Sequence, residues 1–381
     1  MAVKKAMLPM RVAFGIGSLG RKNKVIGIDG IGQYAHHLSQ RLACEKEIDL
    51  RYYSFNGADE TRSSISGGPF LKQALQSLIL GRQFPVLSGG LKDHCDVLHS
   101  PDHLIPKLKT TPVVATIMDV IPLSNPEWVG YSFRSIKNEA WKRSIKWASR
   151  IITPSQFSKH QIMEYLKIPE TKIDVIPLGI DKEWFVAPKE EVASSVLNKF
   201  GLPRNYFLFL GTLQPRKNVH RLIAAHRALP PESRKAFPLV LAGRYGWGEA
   251  ELLEQLNQLQ DGTIVWLKYL SKKDLHVILS SATALVFPSL KEGFGLPLIE
   301  AMAVGTPLIA SASSSIPEVV GDAAIMIEPT SVCSIASGMN ELIERPEVGE
   351  KYVAMGKKRA RIFSWDITAR MTIDSYRNAL W

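Results

Sequence analysis

Cysteine is scarce in this chain of 381 residues. The three cysteines, Cys44, Cys95 and Cys333, are odd in number and lie far apart, so they predict neither a disulfide framework nor a metal-ligand motif. This excludes the small secreted domains that disulfides hold together. It favours a reducing compartment, and we expect a cytoplasmic protein.

Long hydrophobic runs are also absent. No apolar stretch reaches the length that a bilayer-spanning helix needs. The segment from Met1 to Gly20 superficially resembles a signal peptide, but Arg11 interrupts its apolar run and no small-residue cleavage site follows. We therefore predict that residues 10–15 form the first strand of the fold.

Two kinds of motif are lacking as well. The chain holds no Asp-x-Asp sequence and no cluster of residues at metal-ligand spacing, so we expect no metal cofactor. It has no low-complexity tract and no internal repeat. A chain of 381 residues should instead hold about two ordinary globular domains.

Positive charge is in excess, and it is placed unevenly. Lys and Arg exceed Asp and Glu by nine in residues 1–180 and by two in residues 181–381, which gives the net charge of +11. The basic first half favours an anionic partner: a membrane surface, a lipid-phosphate substrate or a nucleic acid. A merely solvated surface explains the charge equally well.

The most informative stretch runs from Ala284 to Gly305. Its first residues predict a buried strand, and residues 296–304 predict a helix that ends at Gly305. A tight glycine loop joins them. Free N–H groups at a helix start bind anions, and Gly293 and Gly295 allow a ligand to approach the backbone closely.

Two carboxylates flank this loop. Glu292 lies at the strand end, and Glu300 lies about one turn into the helix. A carboxylate accepts two hydrogen bonds from a vicinal diol, so the pair suits a ligand with phosphates and hydroxyl groups, such as a nucleotide sugar. Either glutamate alone is equally typical of an exposed loop or helix. The convergence of these features at one strand end favours a ligand site.

The second half of the chain predicts alternating strands and helices, and hence a parallel sheet with ligands at the carboxyl ends of its strands. Its first strand is followed by Gly211 and then by Arg216 and Lys217, two cations suited to a diphosphate. Gly243 follows its second strand.

In the first half, residues 15–20 match the G-x-G-x-x-G fingerprint, which suggests an NAD-dependent oxidoreductase. That fingerprint needs a helix to open at once, whereas residues 21–27 predict a basic loop. Asn56 also stands where an acidic residue should end the second strand. The helix opens later, so Gly30 and Gly32 are our candidates for close approach to a substrate, with a simple turn as the alternative.

Three polar residues follow strands of the first half. Ser100 ends a strand that leads to His103, and Asp119 ends the next strand. Such positions carry sites in parallel sheets, although a single loop histidine is more often solvated. Residues 131–148 predict a basic helix with two tryptophans. Such a helix can lie on a membrane surface, but its aromatic side chains more often face the core.

Together these motifs resemble family 4 of the retaining glycosyltransferases. The family pattern of a glutamate, seven residues and a second glutamate is present as Glu292 and Glu300. Other matching segments are the Arg-Lys-Asn of residues 216–218, the glycine loop 30–34, the interdomain segment 176–181 and the last-helix start 363–366.

The resemblance implies an α/β fold of the GT-B type, with two Rossmann-like domains facing a cleft. Residues 1–180 would bind the acceptor, and residues 181–362 would bind the nucleotide sugar. Residues 363–381 would form a C-terminal helix that packs back on the first domain.

The resemblance also implies roles for residues. Arg216 and Lys217 would hold the diphosphate and stabilise it as it leaves, Glu292 would bind hydroxyls of the donor sugar, and Asp119 would complete the catalytic set. Other donor-binding residues would be Glu300 at the ribose, the loop amides of Phe294, Gly295 and Leu296, Leu270 beside the base, and Gly30, Gly32, Gly211 and Gly243. The acceptor side would hold Ser100, His103 and Tyr34.

The implied activity is transfer of a hexose with retention and without a metal. Residues 116–123 most resemble bacterial mannosyltransferases of cell-surface polysaccharides, so we expect GDP-mannose as donor, with UDP-glucose or UDP-galactose as the alternative. The expected acceptor is a saccharide at the inner face of the membrane, and a lipid-linked saccharide is our hypothesis. No nucleic acid partner is expected. Many members carry His where Met118 stands, a departure that keeps a catalytically silent nucleotide-sugar-binding protein as the third class.

Overall fold

A computed structural model describes residues 8–19, 30–56, 65–91, 95–130, 132–248, 252–254, 256 and 262–381. The chain forms two compact units. One comprises the chain up to Ser124, residues 132–179 and Trp365–Trp381, and the other comprises residues 125–130 and Ile180–Ser364. The predicted basic loop 21–27 and the N-terminal segment before residue 8 lie outside the described residues. The sequence also predicts a helix over residues 252–259, of which residues 255 and 257–259 lie outside them.

The first unit is built on a parallel sheet. Its strands are β1 (Met10–Gly15), β2 (Ile48–Ser54), β3 (Ile65–Ser66), β4 (Val97–Ser100), β5 (Val113–Thr116), β6 (Arg150–Thr153) and β7 (Ile173–Val175). They lie in the order β3-β2-β1-β4-β5-β6-β7. Every residue of β4 and β5 is buried, because helices cover both faces of such a sheet.

The helices of the first unit follow the strands along the chain. They are α1 (Gly30–Leu42), α2 (Phe70–Leu80), α3 (Pro85–Leu91), α4 (Ile121–Ser124), α5 (Arg134–Ser144) and α6 (Gln156–Leu166). The C-terminal helix Trp365–Leu380 also belongs here. Its Thr368 donates to the Pro177 carbonyl at 2.8 Å, and its Ser375 donates to Asp174 at 2.7 Å. The predicted return of the last helix to the first unit is therefore confirmed.

The second unit repeats the design. Its strands are β8 (Phe207–Leu210), β9 (Leu239–Ala242), β10 (Ile264–Leu267), β11 (Ala284–Phe287), β12 (Leu308–Ser311) and β13 (Ile325–Ile327). Their order is β10-β9-β8-β11-β12-β13, and the pairs are parallel. The chain reverses its direction of winding between β8 and β11, so the loops after these two neighbouring strands meet at one edge.

Helices again separate these strands. The described ones are Glu190–Phe200, Val219–Arg227, Pro231–Ala236, Lys272–Ser281, Leu296–Val304, Ile316–Val320, Val332–Glu344 and Pro346–Ala360. The core under them is aliphatic and aromatic. Each fully buried side chain, such as Phe207 or Val286, contributes about 1.5–3 kcal/mol by leaving water.

In the sequence, Ser155, Ser271 and Asn218 each precede a predicted helix and are predicted to cap it. Two of these three predictions are correct. Ser155 accepts a hydrogen bond from the Ser158 N–H, and Ser271 accepts one from the Asp274 N–H, each at 3.1 Å. The prediction that Asn218 caps the next helix with its side chain is wrong. Asn218 has a φ of 61°, and its amide instead donates to the carbonyls of Pro288 and Pro329.

The predicted helix over residues 131–148 is shorter in the structure. It ends at Ser144 and continues as a single 3-10 turn, Ile145–Trp147. Trp141 and Ile145 are buried in the core of the first unit, and Trp147 packs against it. These side chains therefore cannot form a membrane-facing aromatic surface. Among the described residues, no helix combines the length and the hydropathy that crossing a membrane requires.

Candidate active site

The loop between β11 and the helix Leu296–Val304 forms the centre of the second unit's strand-end edge. All four residues of β11 are buried, which fixes the point where the loop begins. Gly295 precedes the helix with a φ of 104°, and a Cβ there would lie 2.8 Å from Leu298 Cδ1. The glycine keeps the loop tight at the helix start, where N–H groups are free to bind an anion.

The side chain of Phe294 points away from this edge. It is buried and makes an edge-to-face contact with Phe363, with ring centroids 5.7 Å apart. Its aromatic ring therefore anchors the loop in the core of the second unit. Binding of a donor by the amides of Phe294, Gly295 and Leu296 stays a prediction.

Two cations and one carboxylate from separate loops meet beside this turn. Arg216 Nη1 lies 2.6 Å from Glu292 Oε2, and Lys217 Nζ lies 2.6 Å from Glu292 Oε1. Burial would raise the pKa of Glu292, but the charges of Arg216 and Lys217 outweigh it and lower the pKa to about 2. The three residues form a buried ion triad with one net positive charge at neutral pH.

The triad holds its cations in defined positions. Lys217 Nζ also lies 4.7 Å from the centroid of the Phe287 ring, and Arg216 Nη1 donates to the Lys291 carbonyl at 3.2 Å. The side chain of Lys217 is 8% exposed, so its charge acts in a poorly screened environment. Such preorganised cations stabilise negative charge that develops on a phosphate.

Three consecutive serines after β12 hold the Glu292 loop from its other side. Ser314 accepts a hydrogen bond from the Glu292 N–H at 3.0 Å, Ser315 donates to the Glu292 carbonyl at 2.9 Å, and Ser313 donates to the Leu290 carbonyl at 3.0 Å. These serines were not among the predicted site residues. The signal was a run of serines at the end of a neighbouring parallel strand, where site residues collect.

Glu300 lies one turn along the helix Leu296–Val304 and is half-buried. Burial, the largest influence, raises its pKa to about 7, while Lys272 lowers it and Asp181 raises it. A carboxyl group with this pKa exchanges between two hydrogen-bonding states near neutral pH. Protonated, it donates one hydrogen bond; ionised, it only accepts.

Two glycines allow β8 and β9 to end side by side. Gly211 has a φ of 149° and Gly243 a φ of 150°, both unfavourable for residues with a side chain. A Cβ on Gly243 would lie 2.0 Å from the Gly211 carbonyl oxygen. The pair therefore permits close backbone approach at the start of the loop that carries Arg216 and Lys217.

We expect Gly243→Ala to lower the free energy of unfolding by at least about 2 kcal/mol, because the methyl group and the Gly211 carbonyl cannot both keep their positions. Urea unfolding would measure this. Gly89→Ala is the matched control, since a Cβ at Gly89 meets nothing within 4 Å. A Gly243→Ala variant as stable as the wild type would contradict the prediction.

Known glycosyltransferase families match most of this chain. Residues 28–184 match the model of "Glycosyltransferase Family 4", and residues 196–360 match that of "Glycosyl transferases group 1". An O-antigen chain mannosyltransferase B from Escherichia coli is 31% identical over 92% of this chain and 96% of its own length. This chain belongs to glycosyltransferase family 4.

Solved structures agree with this assignment at the level of the fold. A sucrose-phosphate synthase from Thermosynechococcus elongatus has a TM-score of 0.73 at 19% identity, covering 97% of this chain and 98% of the other. A HepE protein from Anabaena in complex with UDP-glucose has a TM-score of 0.72 at 18% identity, covering 97% and 100%. The predicted GT-B fold is confirmed.

The alternative prediction from residues 15–20, an NAD-dependent oxidoreductase, is wrong, because the chain belongs to a glycosyltransferase family. Residues 17–19 of the fingerprint form a 3-10 turn, and the first α-helix begins at Gly30. Gly20 lies outside the described residues. The glycines that open that helix are Gly30, which is exposed, and Gly32, which is buried.

Two residues of the glycosyltransferase that were predicted on the acceptor side are buried. Tyr34 is 1% exposed, and its hydroxyl lies 2.9 Å from Thr116 Oγ1. Ser100 is fully buried and donates to the Leu104 carbonyl at 3.1 Å. Their hydroxyl groups form the hydrogen bonds that fix α1 and the loop after β4. Direct contact with an acceptor is therefore not their role in this structure.

Tyr34 belongs to a buried polar chain. Thr116 Oγ1 lies 2.8 Å from His99 Nε2, and His99 Nδ1 lies 2.6 Å from the hydroxyl of Tyr376. Burial lowers the pKa of His99 to about 3, so the ring is neutral. The chain joins α1, β4, β5 and the C-terminal helix, which ties the strand ends of the first unit to the last helix.

The remaining candidates of the first unit are accessible. His103 is exposed and makes an edge-on contact with Trp141, with ring centroids 4.7 Å apart. Asp119 is half-buried, and its Oδ1 accepts a hydrogen bond from the Ile121 N–H at 3.0 Å. This bond fixes the turn after β5, and the second oxygen of Asp119 is available for another partner.

Leu270, the predicted contact of the donor base, lies in the second unit. Leu270 is half-buried after β10, next to Tyr269, whose ring lies 5.1 Å from the guanidinium of Arg244.

Residues 125–130, although placed early in the chain, also pack in the second unit. Lys291 Nζ lies 3.3 Å from Asn125 Oδ1, and Trp247 donates to the Trp128 carbonyl at 2.7 Å. No sequence pattern pointed to this segment.

Proposed function

We propose that this glycosyltransferase moves mannose from GDP-mannose to a lipid-linked saccharide in the assembly of a cell-surface polysaccharide, with retention and without a metal ion. The observation that carries the proposal is the buried ion triad of Arg216, Lys217 and Glu292 beside a glycine loop. Two fixed cations at a helix start supply the positive charge that a departing diphosphate needs.

The proposed step replaces one bond at the sugar's C1 with another. The bond from C1 to the β-phosphate oxygen breaks, and its electron pair leaves on the diphosphate. The acceptor hydroxyl oxygen bonds to C1 on the same face, and its proton passes to the departing diphosphate. Arg216 and Lys217 stabilise the negative charge as it forms, which lowers the barrier more than it strengthens substrate binding.

The relatives support mannose more than glucose. The E. coli protein that is 31% identical over 92% of this chain is named as an O-antigen chain mannosyltransferase. The structure with UDP-glucose is only 18% identical and is similar in fold alone. We therefore place GDP-mannose first, with UDP-glucose and UDP-galactose as the donors to compare.

The deciding experiment is a calorimetric panel of GDP-mannose, UDP-glucose, UDP-galactose, UDP-N-acetylglucosamine and NAD, in buffer with a chelator. Each donor that binds is then incubated with mannose-containing saccharides, and the anomeric configuration of the product is determined by NMR. The proposal requires that GDP-mannose binds, turns over and gives product with the donor's configuration. Binding without turnover would support the silent protein instead, and inversion would exclude the retaining mechanism.

Donor affinity should depend on Glu300. We expect Glu300→Gln to weaken donor binding about 10–100-fold, because hydrogen bonds to a charged group are worth about 1.5–3 kcal/mol. The pKa of Glu300 is about 7, so wild-type affinity should rise as the pH passes upward through 7 and the carboxyl group ionises.

The Glu300→Gln variant should lose this pH dependence. Glu344→Gln, at an exposed helix position, is the matched control and should bind the donor as the wild type does. Equal affinity and an equal pH profile in wild type and Glu300→Gln would remove Glu300 from the donor site.

A further inference from the structure

Helix α2 of the first unit exposes its apolar side. Leu71, Leu75 and Ile79 stand one turn apart and form a single stripe, with exposed fractions of 70%, 49% and 77%. Leu80, beside the stripe, is also exposed. We call these four residues the aliphatic face. Single exposed leucines are common, but a continuous stripe marks an interaction surface.

The side of α2 that faces the protein holds polar side chains. Gln73 and Ser77 are buried there with Ala74. The Gln73 amide donates to the Gly67 carbonyl at 2.6 Å and accepts from the Val86 N–H at 3.3 Å. These bonds hold the helix in one orientation, so the aliphatic face cannot turn inward without leaving a buried amide unpaired.

Neighbouring elements extend this surface. Helix α5 packs beside α2, and at its start Phe133 and Ile136 are 75% and 69% exposed. The surroundings are cationic. Residues 65–91 contain Lys72 and Arg82 but no acidic residue, and residues 104–118 contain Lys107 and Lys109 but no acidic residue. Lys107 Nζ donates to the Gly81 carbonyl at 2.9 Å, which places its charge at the end of α2.

We propose that the aliphatic face inserts into an anionic lipid surface. A helix that presents leucine and isoleucine between lysine and arginine lies in the membrane interface, where lipid tails take the apolar residues and anionic headgroups attract the cations. A second copy of this chain fits less well. In a symmetric contact the same patch meets itself, so the Lys72 and Arg82 of both copies would repel each other.

This inference adds a lipid-binding surface to the proposed function and centres it on α2 with the start of α5, whereas the sequence pointed to the whole basic helix over residues 131–148. It rests on the proposed function for its purpose, because a lipid-linked acceptor has to be met at a bilayer. The binding itself requires neither donor nor acceptor. The two proposals can therefore fail separately.

Vesicle flotation with the full chain tests whether the aliphatic face binds anionic lipid. We expect binding to vesicles of phosphatidylcholine with phosphatidylglycerol, weaker binding to phosphatidylcholine alone, and a decrease with salt. Leu75→Glu combined with Ile79→Glu should lower the partition coefficient at least about tenfold, since both side chains lose their apolar contact with lipid. Lys72→Gln with Arg82→Gln should reduce the preference for the anionic vesicles.

Val192→Glu is the matched control, because Val192 is 48% exposed on a helix of the second unit and Leu75 is 49% exposed. It should bind vesicles as the wild type does. All variants should keep the wild-type circular dichroism and donor affinity, which shows that they fold. Flotation of the Leu75/Ile79 variant equal to that of the wild type, or no wild-type flotation at low salt, would overturn the proposal. So would a dimer in sedimentation that the same variant abolishes.

Discussion

Lys217→Met is expected to lower kcat by about 10²–10³-fold, the effect typical of removing one preorganised group that stabilises transition-state charge. Methionine has a similar length and no charge. The Lys217 ammonium lies 2.6 Å from Glu292 Oε1 and is shielded from water, so no solvent cation can take its position without rearrangement.

Separate values of kcat and KM distinguish two roles for Lys217. If Lys217 acts on the departing phosphate, kcat and kcat/KM should fall together. If it only binds the ground-state diphosphate, KM should rise while kcat stays constant. Calorimetry with the nucleoside diphosphate product gives the binding contribution independently.

Lys273→Met provides the control for a lost cation. Lys273 is exposed at the start of the helix Lys272–Ser281, in the same unit as the triad. Its replacement should leave kcat and KM unchanged. A Lys217→Met variant with wild-type kcat would remove Lys217 from the catalytic set.

Glu292→Gln should be the most destabilising substitution in the site. The change leaves two cations without the carboxylate that neutralises one of them, and breaking a buried ion pair in this way costs about 3–5 kcal/mol. Urea unfolding at pH 7 measures the loss. Glu350→Gln, at an exposed position of the helix Pro346–Ala360, should change the stability by less than about 0.5 kcal/mol.

The stability lost in Glu292→Gln should depend on pH in a defined window. The folded-state pKa of Glu292 is about 2, below its ordinary value of 4.5, so the ionised carboxylate stabilises the folded state above pH 4.5. This contribution is lost as the pH falls from 4.5 towards 2. The difference between wild type and variant should therefore be constant near neutral pH and shrink in acid.

A double variant tests whether the triad acts as a unit. Lys217→Met together with Glu292→Gln removes one charge of each sign, so it should cost less stability than the sum of the single substitutions. Exact additivity at pH 7 would show that the two side chains do not interact, and the ion triad would then not describe the protein in solution.

The order of strands and helices could be predicted because its signals are local. The strand before Glu292 is a continuous apolar run, and the helix after it carries Pro297 in its first turn and stops at Gly305. Ser155 and Ser271 cap helices with bonds to residues three positions away. Asn218 failed as a cap because distant carbonyls, those of Pro288 and Pro329, take its amide.

The α/β fold class, the two glycine-rich strand ends and the candidate residues for a nucleotide sugar could be predicted from the sequence, since each depends on neighbours along the chain. Which side chains contact one another was decided only by the tertiary structure. It placed both cations on Glu292, buried Tyr34 and Ser100, and turned Gln73 inward so that α2 shows its leucines. Such outcomes depend on which polar groups lose water together, and contacts between residues far apart in the chain decide that.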